Sequence, residues 1–231
     1  MYKYEMHLHS SACSACAFSD ARKYIDEAIE TGYAGMVFTN HFYHGNTAVS
    51  RLLPWEDFVG AFRDDYLRAK EYGESKGIDV LFGIEEVYEE GSGKEILIYG
   101  LSPEDLLGCP DFLHFNVYEM SDFVRNNGGY VVCAHPFRRR DYIPDPDLVP
   151  DPSFMDAVEI YNFANSEEDD QKAVQFADIH QLPGISGGDV HTACNFGQAG
   201  LAFYERISDN SHLVQALKEG RYRMIRNGEI V

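Results

Sequence analysis

The chain has 231 residues, 45% of them hydrophobic, and a formal net charge of −19 at pH 7. That length suits one large domain, read here as a single unit over 1–231, with enough apolar residues for a sizeable core. The acidity repels long nucleic acid, and no apolar run approaches the roughly 18 residues of a membrane span, so neither is expected as a partner. The first strand begins at once, with Lys3 and Glu5, where a signal peptide would be apolar. The five cysteines (13, 16, 109, 133 and 194) include one lone CxxC, Cys13-Ser-Ala-Cys16. They are expected as reduced thiols in a cytoplasmic protein.

In chain order, a strand is expected over 2–8, carrying His7 and His9 on one face at its C-terminal end. Ser19 is placed as the cap of a helix to Thr31, with Gly32 as its stop. A second strand over 35–39 runs into Asn40-His41. A long helix from Pro54 to Lys76 follows, ended by Gly77. The third strand, 79–84, leads into Glu85-Glu86, and a fourth is read over 95–99. A helix is expected over 115–127. The fifth strand, 130–134, ends at His135-Pro136, before a proline-dotted loop over 137–153. The sixth strand, 157–161, contains Glu159. Ser166 caps an acid-started helix, and the seventh strand, 183–186, leads into Gly187-Gly188-Asp189-Val190-His191. A short strand over 201–204 and a helix over 211–219 finish the chain.

Strands alternating with helices, with polar residues at successive strand ends, predict an α/β fold: seven β-then-α units like a TIM-type barrel with one unit missing and its site on one face. An open doubly wound sheet would gather its site at one switch point instead. The candidate residues are His7, His9, His41, Glu85 or Glu86, Glu95, His135, Asp189 and His191. Buried carboxylates and imidazoles converging on one mouth need cations between them. Mixed nitrogen and oxygen ligands suit Zn, Mn or Fe, and so many of them imply more than one ion.

His7-Leu-His-Ser, Thr39-Asn-His41, Gly83-Ile-Glu85, Ala134-His-Pro136 and Gly188-Asp-Val-His191 resemble, in order and spacing, the motifs of the PHP (polymerase and histidinol phosphatase) superfamily. The resemblance spans 5–191. It implies a distorted (β/α)7 barrel, two or three divalent metal ions and phosphoester hydrolysis. It also implies that His7, His9, Glu85 and Asp189 hold one ion. A second would lie on Glu85 and His135, with Glu85 bridging, and a third on His41 and His191. The family's Thr-Asp-His is Thr39-Asn40-His41 here, and its fourth-strand histidine aligns with Glu95. Cys16 is either a thiolate ligand of the third ion or a simple buried thiol.

Glu159 reads either as an acceptor for a ligand histidine or as an ordinary barrel carboxylate. His44, His114, His180 and His212 read as surface or satisfied histidines. Arg138-Arg139-Arg140 directly follows the His135 motif. Arg138 is placed as a phosphate clamp, while Arg139 and Arg140 are as readily matched to Asp141, Asp145 or Asp147. Asp189 or a neighbouring histidine is expected to assist proton transfer. The expected activity is cleavage of a small phosphate monoester, of a sugar, amino-alcohol or nucleotide. The alternatives are a 3'-5' nuclease, an amidohydrolase (which would often carry a bridging lysine, with none at a strand end here) and a non-catalytic metal-stabilised module.

Overall fold

The computed structural model describes residues 1–89 and 91–231. Ten strands form one sheet: β1 (Tyr2–Glu5), β2 (Gly35–His41), β3 (Asp79–Glu89), β4 (Lys94–Tyr99), β5 (Tyr130–Ala134), β6 (Ala157–Asn162), β7 (Gly184–Gly187), β8 (Ala199–Phe203), β9 (Tyr222–Arg226) and β10 (Glu229–Ile230). The helices are α1 (Ala21–Thr31), α2 (Trp55–Lys76), α3 (Pro103–Leu107), α4 (Val117–Asn126), α5 (Glu167–His180) and α6 (Asn210–Lys218). The sheet order is β10-β9-β8-β1-β2-β3-β4-β5-β6-β7, and it curls strongly into the distorted barrel expected. Among the described residues no helix is long and apolar enough to cross a membrane.

The expected run of seven β-then-α units is corrected in two places. β4 is antiparallel to both β3 and β5, and β8, β9 and β10 join antiparallel at the other edge. The cause of the first is local: β3 and β4 are close neighbours in sequence, so the chain returns as a hairpin and needs no crossover helix. Because β4 runs backwards, its first residues lie level with the C-terminal ends of its neighbours. Glu95 therefore reaches the mouth from the start of a strand, paired with Val87 and Ala134.

β7 closes on the far edge without a ladder. Leu8 and Val190 form an isolated parallel bridge. Below it, the Ser186 hydroxyl donates to Ile225 O at 2.6 Å and accepts from Gly200 N–H at 3.1 Å. Val37, Leu81, Leu97 and Val132 fill the barrel interior, with Leu213, Val214 and Leu217 of α6 packed into the same core. On the outer side, Phe38, Met36 and Val80 pack against Tyr24 and Ile25 of α1.

Several boundaries move for capping reasons. Asp20, not Ser19, caps α1, its carboxylate accepting from Lys23 N–H. Ser19 instead accepts from Ala193 N–H at 3.0 Å. Asn116 and Glu119 form a reciprocal capping box, so α4 starts at Val117 rather than 115. Gly32 and Gly77 end α1 and α2 in left-handed conformations, φ 69° and 75°, as expected.

Candidate metal centre

Regular pairing of β1 stops at Glu5, short of the strand expected over 2–8. His7 and His9 are instead set by backbone bonds on both sides of Leu8. Val190 N–H donates to His7 O at 3.0 Å and His9 N–H to Val190 O at 3.0 Å, while Thr39 N–H donates to Leu8 O at 2.9 Å. Local alternation then sends Leu8 into the apolar layer with Phe38 and leaves both histidines in the barrel mouth.

Glu85 lies at the centre. His7 Nε2 and His135 Nε2 are each 3.1 Å from its Oε1. His41 Nδ1 is 2.8 Å and His9 Nε2 3.5 Å from its Oε2. Asp189 Oδ1 lies 3.2 Å from His9 Nε2 and 3.5 Å from His7 Nε2. Glu95 Oε1 is 3.2 Å from His41 Nδ1. His191 completes a group with His9 and His41. All eight expected ligand residues thus converge. Glu86 faces away and accepts from His44 N–H and Val87 N–H, so it ties down the loop after β2. His114, His180 and His212 stand outside these groups.

His7 Nε2, His9 Nε2, His41 Nδ1 and Glu85 Oε2 are buried and crowd against one another and Asp189 without a well-aligned hydrogen bond. Each such atom costs about 1–3 kcal/mol, so four at one point approach the whole stability of a domain. Cations among them remove that cost, and the donor set fits borderline divalent ions. His7, His9, Glu85 and Asp189 would hold one ion, Glu85 with His135 or with His41 and Glu95 a second, and His9, His41 and His191 form a further three-nitrogen group.

The charges agree with this. Burial opposes ionisation of Asp189, but Arg138 and His7 outweigh it and hold its carboxyl well below the usual range. Burial and the neighbouring His41 push His9 well below its ordinary pKa, leaving it a neutral ligand. Burial alone would lower His7, yet Glu159, Glu85 and Asp189 hold it charged, a proton standing where a metal's charge would act. Burial would raise the Cys16 thiol, but hydrogen bonds with His191 and His41 bring it to about 6. Its sulfur therefore borders the third group of nitrogens, half-buried.

The supporting shell was partly legible. Glu159 is an acceptor for His7, one of the expected ligands: its Oε1 takes His7 Nδ1–H at 3.0 Å, and its Oε2 takes His135 N–H at 3.0 Å and Asn162 Nδ2–H at 2.9 Å. In the neutral ring this bond keeps the proton on Nδ1 and leaves Nε2 as the nitrogen able to bind an ion. Asn40 holds the loop after His9, its Oδ1 accepting from Ser10 N–H at 2.6 Å and Ser14 Oγ–H at 3.0 Å. Glu5 was missed. It is fully buried beneath the site, and a charge on a strand otherwise leading into the barrel was the available signal.

Arg138 is buried, with Nη1 2.5 Å from Asp189 Oδ2 and Nε donating to Asn165 Oδ1 at 2.8 Å. Its Nη2 alone lacks a partner. Arg139 pairs with Asp147, Glu168 and Asp169, and Arg140 bonds to Ala164 O. Above the cluster is a cavity of about 430 Å³ lined by Cys16, His41, Asn46, Glu95, Arg138, Tyr142, Asp189 and His191. Lys94, at the mouth end of reversed β4, corrects the expectation of no lysine there. Its ammonium points away from the cluster, bonded to Pro136 O at 2.6 Å and Pro146 O at 3.2 Å.

A family model described as PHP-associated (PHP_C) matches residues 167–222, a stretch that includes Asp189 and His191. A two-domain protein from Bacteroides vulgatus containing a predicted PHP-like metal-dependent phosphoesterase has a similar structure. It is 14% identical, with a TM-score of 0.69 over 99% of this chain and 66% of that one. Residues 167–222 thus resemble a PHP-associated family, and the fold as a whole is similar to that of a PHP-like protein. The PHP-like barrel is also similar to a Bifidobacterium adolescentis protein provisionally described as a metal-dependent phosphoesterase (15% identity, TM-score 0.59, 94% and 96% of the two chains). An amidohydrolase from Chromobacterium violaceum, with bound sulfate and no metal, has 15% identity and a TM-score of 0.58 over 82% and 88%. No curated protein matches the sequence.

Proposed function

We propose that residues 1–231 form one barrel unit acting as a multinuclear metal-dependent phosphoesterase on small phosphate monoesters. One observation carries the reading: four buried, unsatisfied side-chain atoms meet at Glu85 beneath a cavity lined by Arg138, Asp189 and His191. Bound Zn, Mn or Fe ions would supply the positive charge that a phosphoryl group needs as it is displaced. Arg138 Nη2 donates to a non-bridging phosphoryl oxygen. Asp189 keeps Oδ2 on Arg138 and Oδ1 among the histidines, so its role is to hold rather than to carry protons. His191, more exposed and on the cavity wall, is better placed to move a proton. Tyr142 and Asn46 at the rim bound the size of the alcohol portion.

A net charge of −19 weighs against a nuclease acting on long polymers. The amidohydrolase reading has less support, because the Lys94 ammonium is engaged away from the cluster. The test is a phosphate-release screen over sugar, amino-alcohol and nucleotide monoesters with Mn, Zn and Fe, run beside a panel of cyclic amides. Phosphate release that a chelator stops is expected. Amide turnover with no phosphate release on any ester would refute the proposal.

A further inference from the structure

The seam between β1 and β7 lacks a backbone ladder where the two ligand pairs emerge. β1 pairs with β8 over residues 2–4 and ends at Glu5, β7 ends at Gly187, and among the described residues the two segments meet in backbone pairing at the Leu8–Val190 bridge. In this gap lies the Glu5 side chain, fully buried. Its Oε1 accepts three N–H groups: Met6 at 2.9 Å, His7 at 3.1 Å and, from across the seam, Gly188 at 2.7 Å.

Asp189 is a left-handed non-glycine residue, φ 49°. Such a conformation persists only where its surroundings over-determine it. The N–H groups on either side of Asp189 do this, Gly188 bonded to Glu5 and Val190 bonded to His7 O at 3.0 Å. Both anchors belong to the His7 segment. The double glycine makes room for the arrangement: a Cβ on Gly188 would lie 2.6 Å from Glu5 Oε2, and one on Gly187 2.2 Å from Glu159 Oε1.

We propose that Glu5 is a positioning residue for the metal centre, its carboxyl standing in for the missing ladder and fixing His7 and Asp189 relative to one another. The proposal rests on the metal centre and is independent of which ester, if any, is cleaved. Removing the acceptor frees two ligand segments to move apart, and loss of such a supporting contact typically weakens metal binding by about 10–100-fold.

The test is a Co²⁺ titration of the full chain, followed by visible absorption, for wild type, Glu5→Gln and Glu5→Met. Glutamine keeps the acceptor, while methionine fills the space without one. The expected result is wild-type half-saturation for Glu5→Gln and half-saturation about 10–100-fold higher for Glu5→Met, with an altered d–d spectrum. If Glu5→Met folds only with metal, the Co²⁺ concentration restoring its helical circular dichroism is read instead. Equal half-saturation for Glu5→Met and wild type, equal impairment of both variants, or a methionine variant that cobalt never folds would overturn the role. Wild-type protein that takes up no cobalt would overturn the metal centre and this role with it.

Discussion

Arg138 and Asp189 form a buried ion pair, Nη1 to Oδ2 at 2.5 Å. One arginine thereby does two things. It neutralises the outer oxygen of Asp189, and its residue lines the cavity above the cluster. Arg138→Ala strands a buried carboxylate, so the metal-free protein should lose about 3–5 kcal/mol in chemical denaturation. Phosphate-ester kcat/KM should fall roughly 30-fold to 1000-fold. Arg138→Lys should recover only part of each, because an ammonium cannot reach Asp189 and Asn165 with a planar fork. Wild-type stability in Arg138→Ala would remove the pair from the account.

Glu159 fixes the His7 tautomer through Nδ1 while it holds the His135 backbone. Glu159→Ala should weaken metal binding by about 10–100-fold, and Glu159→Gln, which retains an acceptor, by less. Competition against a chelator of known affinity measures both. Equal affinities across wild type and the two variants would reduce Glu159 to an ordinary core carboxylate.

Asp170 on α5 accepts from Asn162 N–H and Asn165 Nδ2–H, the two asparagines that touch Glu159 and Arg138. Burial raises its pKa from 3.8 to about 6. A raised carboxyl contributes stability below its unfolded pKa and loses it as pH climbs through the folded value. Asp170→Asn keeps the acceptor and has no charge to bury. It should match wild type below about pH 4 and be more stable by about 1–2 kcal/mol above pH 6, after allowance for solvent screening. Denaturation curves from pH 4 to 8 test this; a constant difference across that range would contradict it.

Much of the convergence was legible because the candidate residues sit at strand ends, and strand ends are marked by where apolar runs stop. His7, His9, His41, His135, Asp189 and His191 each follow such a run. Glu95 was harder, since it starts a strand, and only the β3–β4 hairpin brings it to the mouth. The hairpin itself was hidden because β4 reads as apolar as its parallel neighbours. β9 and β10 went unseen: Tyr222 to Arg226 sets Met224 and Ile225 between two arginines with no two-residue alternation, and β10 is only two residues long. The role of Glu5 could not be read at all. It depends on Gly188, 183 residues away, and long-range partners of one side chain leave no local trace.

The most direct measurement is the metal content of the purified chain by native mass spectrometry. The account predicts at least two divalent ions per chain among the buried, unsatisfied atoms around Glu85, lost together with activity on chelation. A chain that carries less than one ion and cleaves phosphate monoesters at full rate would contradict the account at its centre.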